Sequence, residues 1–246
     1  MKITISANKD ELGRRSAEQA STVIQQAIAL KGRASIIVAT GASQFEFLQH
    51  LTADTRIGWS KVTVFHLDEY VGLPVTHIAS FRRYLRERLV QQLPCPLAAF
   101  HEVDASSDPH QECERLGALI LKEVIDLCCM GIGENGHIAF NDPPADFVTE
   151  KPYLVVDLDQ GCRQQQVKEG WFPTLADVPK QAISMSVKQI LKSKALVNSV
   201  PGERKAVAVR DALEGELTPL CPASILRTHP DCHLNLDTDS ARLLKT

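Results

Sequence analysis

Leu12, Ala20, Val23, Ile24, Ala27 and Ile28 recur at helical spacing and predict a long amphipathic helix near the start of the chain. Residues 36–39 (IIVA) then form a short apolar run of the buried-strand type, ending at Thr40-Gly41-Ala42-Ser43. Phe45, Phe47, Leu48 and Leu51 suit a helix that Ser43 would cap. Residues 62–65 (VTVF) are a second buried-type strand, running straight into His66-Leu67-Asp68-Glu69-Tyr70. Residues 81–93 and 112–124 read as helices, and residues 125–130 (IDLCCM) as a strand before Gly131-Ile132-Gly133-Glu134-Asn135-Gly136-His137. Further strands are expected at 153–157, 182–187 and 195–200, with a helix at 203–214 entered through Pro201-Gly202.

Strands alternating with helical patterns imply crossover units. The expected fold is therefore α/β, a single doubly wound and mostly parallel sheet with helices on both faces. No repeat or linker divides the chain, so residues 1–246 are expected to form one domain. Residues 141–180 carry Pro143, Pro144, Pro152, Pro173 and Pro179 and show the least regular pattern, which predicts a lid or active-site loop.

Composition narrows the function. Twenty-seven basic against thirty acidic side chains give a net charge of −3, which supplies no global pull toward nucleic acid or an anionic membrane. A bound phosphate must be held locally. No run approaches the ~20 apolar residues of a membrane span, and the N-terminus lacks the apolar stretch of a signal peptide, so a cytoplasmic protein is expected. The seven cysteines are odd in number and include no C-x-x-C pair, which favours reduced thiols over a disulfide framework or a zinc knuckle. The sequence leaves self-association into a homo-oligomer open.

Ligands of open parallel sheets bind outside the carboxyl ends of the strands, and three such ends here carry chemistry. Thr40-Gly41-Ala42-Ser43 can bring backbone N–H groups close to an anion, or be a plain turn. Asp68 and Glu69 are adjacent carboxylates at a strand end; partial burial would raise a carboxyl pKa into the range useful for moving a carbon-bound proton. The third end, residues 131–136, matches the dinucleotide pattern G-x-G-x-x-G, with Asp157 near the offset of a ribose-binding acid. The fingerprint needs a helix to begin within the glycines, however, and Asn141-Asp142-Pro143-Pro144 forbids one. The same segment reads better as a catalytic loop in which His137 and Asp142 shuttle protons. Lys205 could add a point charge to a phosphate, or be an ordinary solvated surface lysine.

Together these strings resemble the glucosamine-6-phosphate deaminase (isomerase) family. The resemblance rests on Thr40-Gly41 with Ser43, LDEYVGLP at 67–74, GIGENGHIAFNDP at 131–143, VPKQAIS at 178–184, the Lys205 region and PASILRTHP at 222–230. It implies conversion of an amino-sugar 6-phosphate to a ketose 6-phosphate plus ammonia, with no cofactor, no metal and a small sugar phosphate as partner. By position, Asp68 resembles the base that moves a proton between carbons 2 and 1, and His137 the group that opens the sugar ring, supported by Asn135 and Asp142. Thr40, Gly41, Ala42, Ser43 and Lys205 are similar to the phosphate-gripping positions; Glu69 is added to the substrate site and Arg163 is the nearest candidate for a phosphate-binding arginine. Asn135 stands where the family often has Asp, and Asp142 where it often has Glu, so the charge of the ring-opening pair would rest on Asp142. The rival readings are a 6-phosphogluconolactonase-type hydrolase and a non-catalytic sugar-phosphate sensor.

Overall fold

The computed structural model describes residues 1–245. The chain opens with β1 (Lys2–Ser6), α1 (Lys9–Lys31), β2 (Ala34–Val38), α2 (Phe45–Thr52), β3 (Val62–His66) and β4 (Asp68–Tyr70). It continues through α3 (Phe81–Arg88), β5 (Ala99–His101), α4 (Pro109–Ile120), β6 (Leu127–Met130), β7 (Tyr153–Asp157) and α5 (Gln160–Lys168). The last elements are β8 (Gln181–Met185), α6 (Val187–Leu191), β9 (Ala195–Val200), α7 (Ala206–Glu214) and β10 (Cys232–Asp237).

Seven strands form the main sheet in the order β1-β10-β9-β6-β2-β3-β5, and every pairing in it is parallel. Alternate residues of its strands feed two cores. Ile37, Phe65, Cys128 and Leu196 point to one face, whereas Ile36, Val38, Val64, Cys129 and Val197 point to the other, under α1 and α2. Burial on both faces is why these strands read as unbroken apolar runs. From β2 the chain runs outward to β3 on one side, while β6 pairs with β2 on the other. The strand order thus reverses between β2 and β6, which opens a crevice at their carboxyl ends.

The remaining strands form a separate antiparallel sheet, β4-β8-β7. Asp68 opposes Ser184 and Tyr70 opposes Ala182, so the chain leaves the main sheet just after His66 and Asp68 begins a new strand. This strand was not expected, nor were β1 and β5 at the edges of the main sheet or β10 (Cys232–Asp237) inside it, whose CHLNLD alternates polar and apolar residues. Other boundaries moved as well. Helix α4 starts at Pro109 because the Asp108 side chain accepts from the backbone of His110 and Gln111, and it ends before residue 124. The expected strand at 182–187 stops at Met185, since Ser186 caps α6.

Two expectations are corrected here. Ser43 does not cap the second helix: residues 42–44 form a 3₁₀ turn whose N-cap is Gly41, and no side chain caps α2. Segment 141–180 holds, besides the strand expected at 153–157 (β7), a helix that was not expected, α5. The sequence QGCRQQQVK of α5 lacks an apolar stripe, and the helix is anchored instead by Asp159, whose side chain accepts from the backbone N–H of Cys162. All seven cysteines are free thiols. No helix among the described residues is long and apolar enough to cross a membrane.

Candidate active site

The carboxyl ends of β1, β2, β6, β9 and β10 surround a cleft of about 740 Å³, with Thr40–Ser43, Asp68, Gly131–Glu134, His137, Gly202–Lys205 and Asp237–Asp239 in its lining. Two of its walls share one construction. Gly41 (φ +100°) and Gly202 (φ +93°) each follow a strand, adopt a backbone that only glycine takes readily, and open a 3₁₀ turn leading into a helix. Both loops are tied down. Tyr84 Oη donates to the Gly41 carbonyl at 2.9 Å, buried Gln44 reaches across to the Ser199 carbonyl at 3.2 Å, and the Gly202 N–H donates to the Asp237 carboxylate at 2.9 Å.

Charge in the cleft is mostly compensated. Lys9 pairs with Glu46 at 2.9 Å and Arg204 with Glu134 at 3.7 Å. Half-buried Lys205 forms no ion pair among the described residues. Burial pulls its pKa below that of an ordinary lysine, while the charges of Glu169 and Glu134 pull the other way. It is the cation left free to meet an incoming anion.

Asp68 is 5% exposed and lines the cleft. Burial, with the charge of Glu69 added, raises its carboxyl well above the usual range. The neighbouring carboxylate has a different fate. Glu69 is fully buried and does not line the cleft; it accepts from the backbone of Tyr70, Phe81 and Arg82 and from the Ser80 hydroxyl at 2.8–3.1 Å. It closes the N-terminus of α3, so its assignment to the substrate site is corrected. His66 is buried too, and desolvation pushes its imidazole down to about 3, which leaves it neutral.

His137 sits in a loop built to hold it. Its backbone N–H donates to Asn135 Oδ1 at 3.1 Å, and its carbonyl accepts from Gly133 at 2.8 Å. The ring lies flat on Gly133, where any Cβ would overlap it. His137 Nδ1 is 3.2 Å from Asp142 Oδ1, but the approach is off-axis and Nδ1 makes no well-aimed hydrogen bond. Burial works against ionisation of Asp142; His137, Asn135 and the Asp159 backbone N–H outweigh it, so the carboxyl stays below its usual value. Asn135 Nδ2 bridges Asp142 and Asp159 at 3.0 and 3.1 Å. Asn135 and Asp142 are thus behind His137 rather than in the cleft lining, where they can only position it.

A family described as glucosamine-6-phosphate isomerases/6-phosphogluconolactonase matches residues 7–234. The chain belongs to this family. It is 33% identical, across the whole of both chains, to a glucosamine-6-phosphate deaminase of Lactobacillus delbrueckii subsp. bulgaricus. A glucosamine-6-phosphate deaminase of Exiguobacterium sibiricum is 36% identical over 85% of this chain and 81% of its own. Among solved structures, a monomeric glucosamine-6-phosphate deaminase superposes with a TM-score of 0.90 at 30% identity, covering 99% of this chain and all of that one. A 6-phosphogluconolactonase of Thermotoga maritima shares the fold, with a TM-score of 0.79 at 18% identity over 96% of this chain and 99% of that one.

Of the residues singled out in this family member's sequence, Thr40, Gly41, Ala42, Ser43, Asp68, His137 and Lys205 share the cleft. Arg163 does not. Its guanidinium donates to the carbonyls of Leu175 and Val178 at 2.6 and 3.1 Å, where it braces the chain after α5, so its assignment to phosphate is corrected. Asp157 is likewise remote from any nucleotide role, exposed on β7 and paired with Gln181. The sequence reading missed Gln165 and Gln166 of α5 and its C-cap residue Glu169, which line the cleft. It also missed Asp159 and Cys162, which lie behind the His137 loop. Only the N-cap pattern of Asp159 could have located α5 beforehand.

Proposed function

We propose that the protein converts a hexosamine 6-phosphate, with glucosamine 6-phosphate the first choice, to the ketose 6-phosphate and ammonia. The observation that carries the reading is the placement of Asp68, a buried carboxyl without a hydrogen-bonding partner among the described residues, in the same cleft as His137 and a lysine that pairs with none of them.

The 6-phosphate is held by the Thr40–Ser43 loop and Lys205, which fixes the sugar by its far end. His137, oriented by Asp142, gives a proton to the ring oxygen as the hydroxyl on carbon 1 loses one, and the ring opens. Asp68 then removes the proton on carbon 2 and returns one to carbon 1 through an enolamine. The resulting imine at carbon 2 takes up water and releases ammonia, so the net reaction consumes one water per sugar. Only the ionised carboxylate can accept the carbon-bound proton. Because burial raises the Asp68 pKa, kcat/KM should rise with pH through that raised value before levelling off.

Gln165, Gln166 and Glu169 form one wall of the cleft, which supports segment 141–180 acting as a lid over the sugar. Seven free thiols suit a cytoplasmic protein. The test is turnover of glucosamine 6-phosphate in heavy water. Ammonia release with deuterium at carbon 1 of the ketose is the expected result. No ammonia from any hexosamine 6-phosphate would refute the reading, and hydrolysis of 6-phosphogluconolactone instead would establish the lactonase.

A further inference from the structure

The side chain of Cys162 bears on a question the sugar chemistry does not use. It is 1% exposed, is absent from the cleft lining, and lies in the first turn of α5. Its Sγ, one ring nitrogen of His137 and a carboxylate oxygen of Asp142 all lie within 4.8 Å of one another. The loop that carries His137 and Asp142 meets the first turn of α5 there, with β7 between them in the chain.

We propose that His137, Asp142 and Cys162 form an inhibitory site for a thiophilic divalent cation of the zinc class. Three features of the cluster argue for it. The donor set is the nitrogen, oxygen and sulfur combination that tetrahedral zinc accepts, with one position left for water. The spacing fits. Zinc–nitrogen and zinc–oxygen bonds near 2.0–2.1 Å at a tetrahedral angle put the two ligand atoms ~3.3 Å apart, and His137 Nδ1 and Asp142 Oδ1 are 3.2 Å apart. Nδ1 is also a buried nitrogen with no well-aimed hydrogen bond among the described residues, so a metal there would displace only its 3.2 Å contact with Asp142.

Charge balances as well, because a divalent ion with one carboxylate and one thiolate is neutral, and the thiol proton leaves to solvent on binding. Asn135 Nδ2 and the Asp159 N–H already hold Asp142 in place at 3.0 and 3.2 Å, the kind of support a ligand carboxylate requires. An ion there would occupy Nδ1 and the carboxylate that orients His137, and turnover would stop at ring opening.

Cobalt(II) provides the direct probe on the full-length protein. A bound thiolate gives a sulfur-to-cobalt charge-transfer band in the near ultraviolet, and zinc should displace it stoichiometrically. Cys162→Ser should lose that band. It should keep basal turnover and resist zinc by at least about 10–100-fold, the range by which even outer ligand-supporting residues alter affinity. In the wild type, a chelator should restore activity. Cobalt binding without the charge-transfer band, or equal zinc inhibition of wild type and Cys162→Ser, would overturn the proposal. The wild-type spectrum decides the matter even if the variant does not fold. It needs no turnover, so it stands apart from the test of the deaminase reading.

Discussion

Replacing Asp68 with Asn should inactivate the protein and stabilise it at the same time. The carboxyl is 5% exposed, no hydrogen bond offsets its desolvation, and its charged neighbour Glu69 is of like sign. An unfolded Asp has a pKa of ~3.9, and the folded value is raised well above it. Between those two values the native state binds the extra proton, so stability falls as pH rises, by ~1.4 kcal/mol per pH unit for a single group. Above the unfolded value this side chain therefore weighs against the fold, whereas below it the group is neutral in both states. An unsatisfied buried polar group costs about 1–3 kcal/mol, and for a chain of this size each kcal/mol moves Tm by roughly 2–4 °C. Asp68→Asn should thus raise Tm by about 2–12 °C at pH 7 and by little near pH 4. Loss of the base should lower kcat by about 10²–10⁴. Thermal melts across pH 4–8 and an ammonia-release assay measure both. A variant that is less stable at neutral pH, or one whose gain is the same at pH 4, would refute the reasoning about an uncompensated carboxylate.

Gly133→Ala places a methyl where the His137 ring lies; overpacking of this kind costs about 1–3 kcal/mol, and displacement of the ring should cut kcat ~100-fold or more, as stopped-time ammonia assays would show. Lys205→Ala removes the unpaired cation of the cleft and should raise KM for glucosamine 6-phosphate ~10–100-fold, equivalent to a charged hydrogen bond of about 1.5–3 kcal/mol. Its Tm should stay near that of the wild type. Glu69→Ala leaves the backbone N–H groups of Tyr70, Phe81 and Arg82 and the Ser80 hydroxyl without their acceptor and leaves buried Arg82 closest to Asp104 alone. Urea titration should show a loss of about 3–5 kcal/mol, the cost of breaking a buried pair; a loss under 1 kcal/mol would mean that Glu69 does not hold α3.

Four neighbouring strands of the main sheet, β9-β6-β2-β3, were legible in the chain because they are apolar runs buried on both faces, whereas β1, β5 and the mixed-polarity β10 were not. Residues 36–39, 62–65, 125–130 and 195–200 are continuous apolar runs, and such runs separated by helical periods have few other ways to bury themselves. The same logic put the chemistry at strand ends, and Thr40, Asp68, His137 and Lys205 do meet in one cleft. Which neighbour of each does the work was a tertiary matter. Asp68 and Glu69 are adjacent carboxylates in sequence, yet strand alternation sends successive side chains to opposite faces. One therefore lines the cleft, and the other is consumed by the N-terminus of α3. Arg163 reads as a free cation until the carbonyls of Leu175 and Val178 are seen to occupy it. Helix α5 carried no apolar stripe to announce it, because its contacts run through polar side chains into the cleft and onto the His137 loop. Cys162 beside His137 and Asp142 belongs with these. Periodicity records what a segment buries, and the meeting of one loop with a separate helix leaves no period in the sequence.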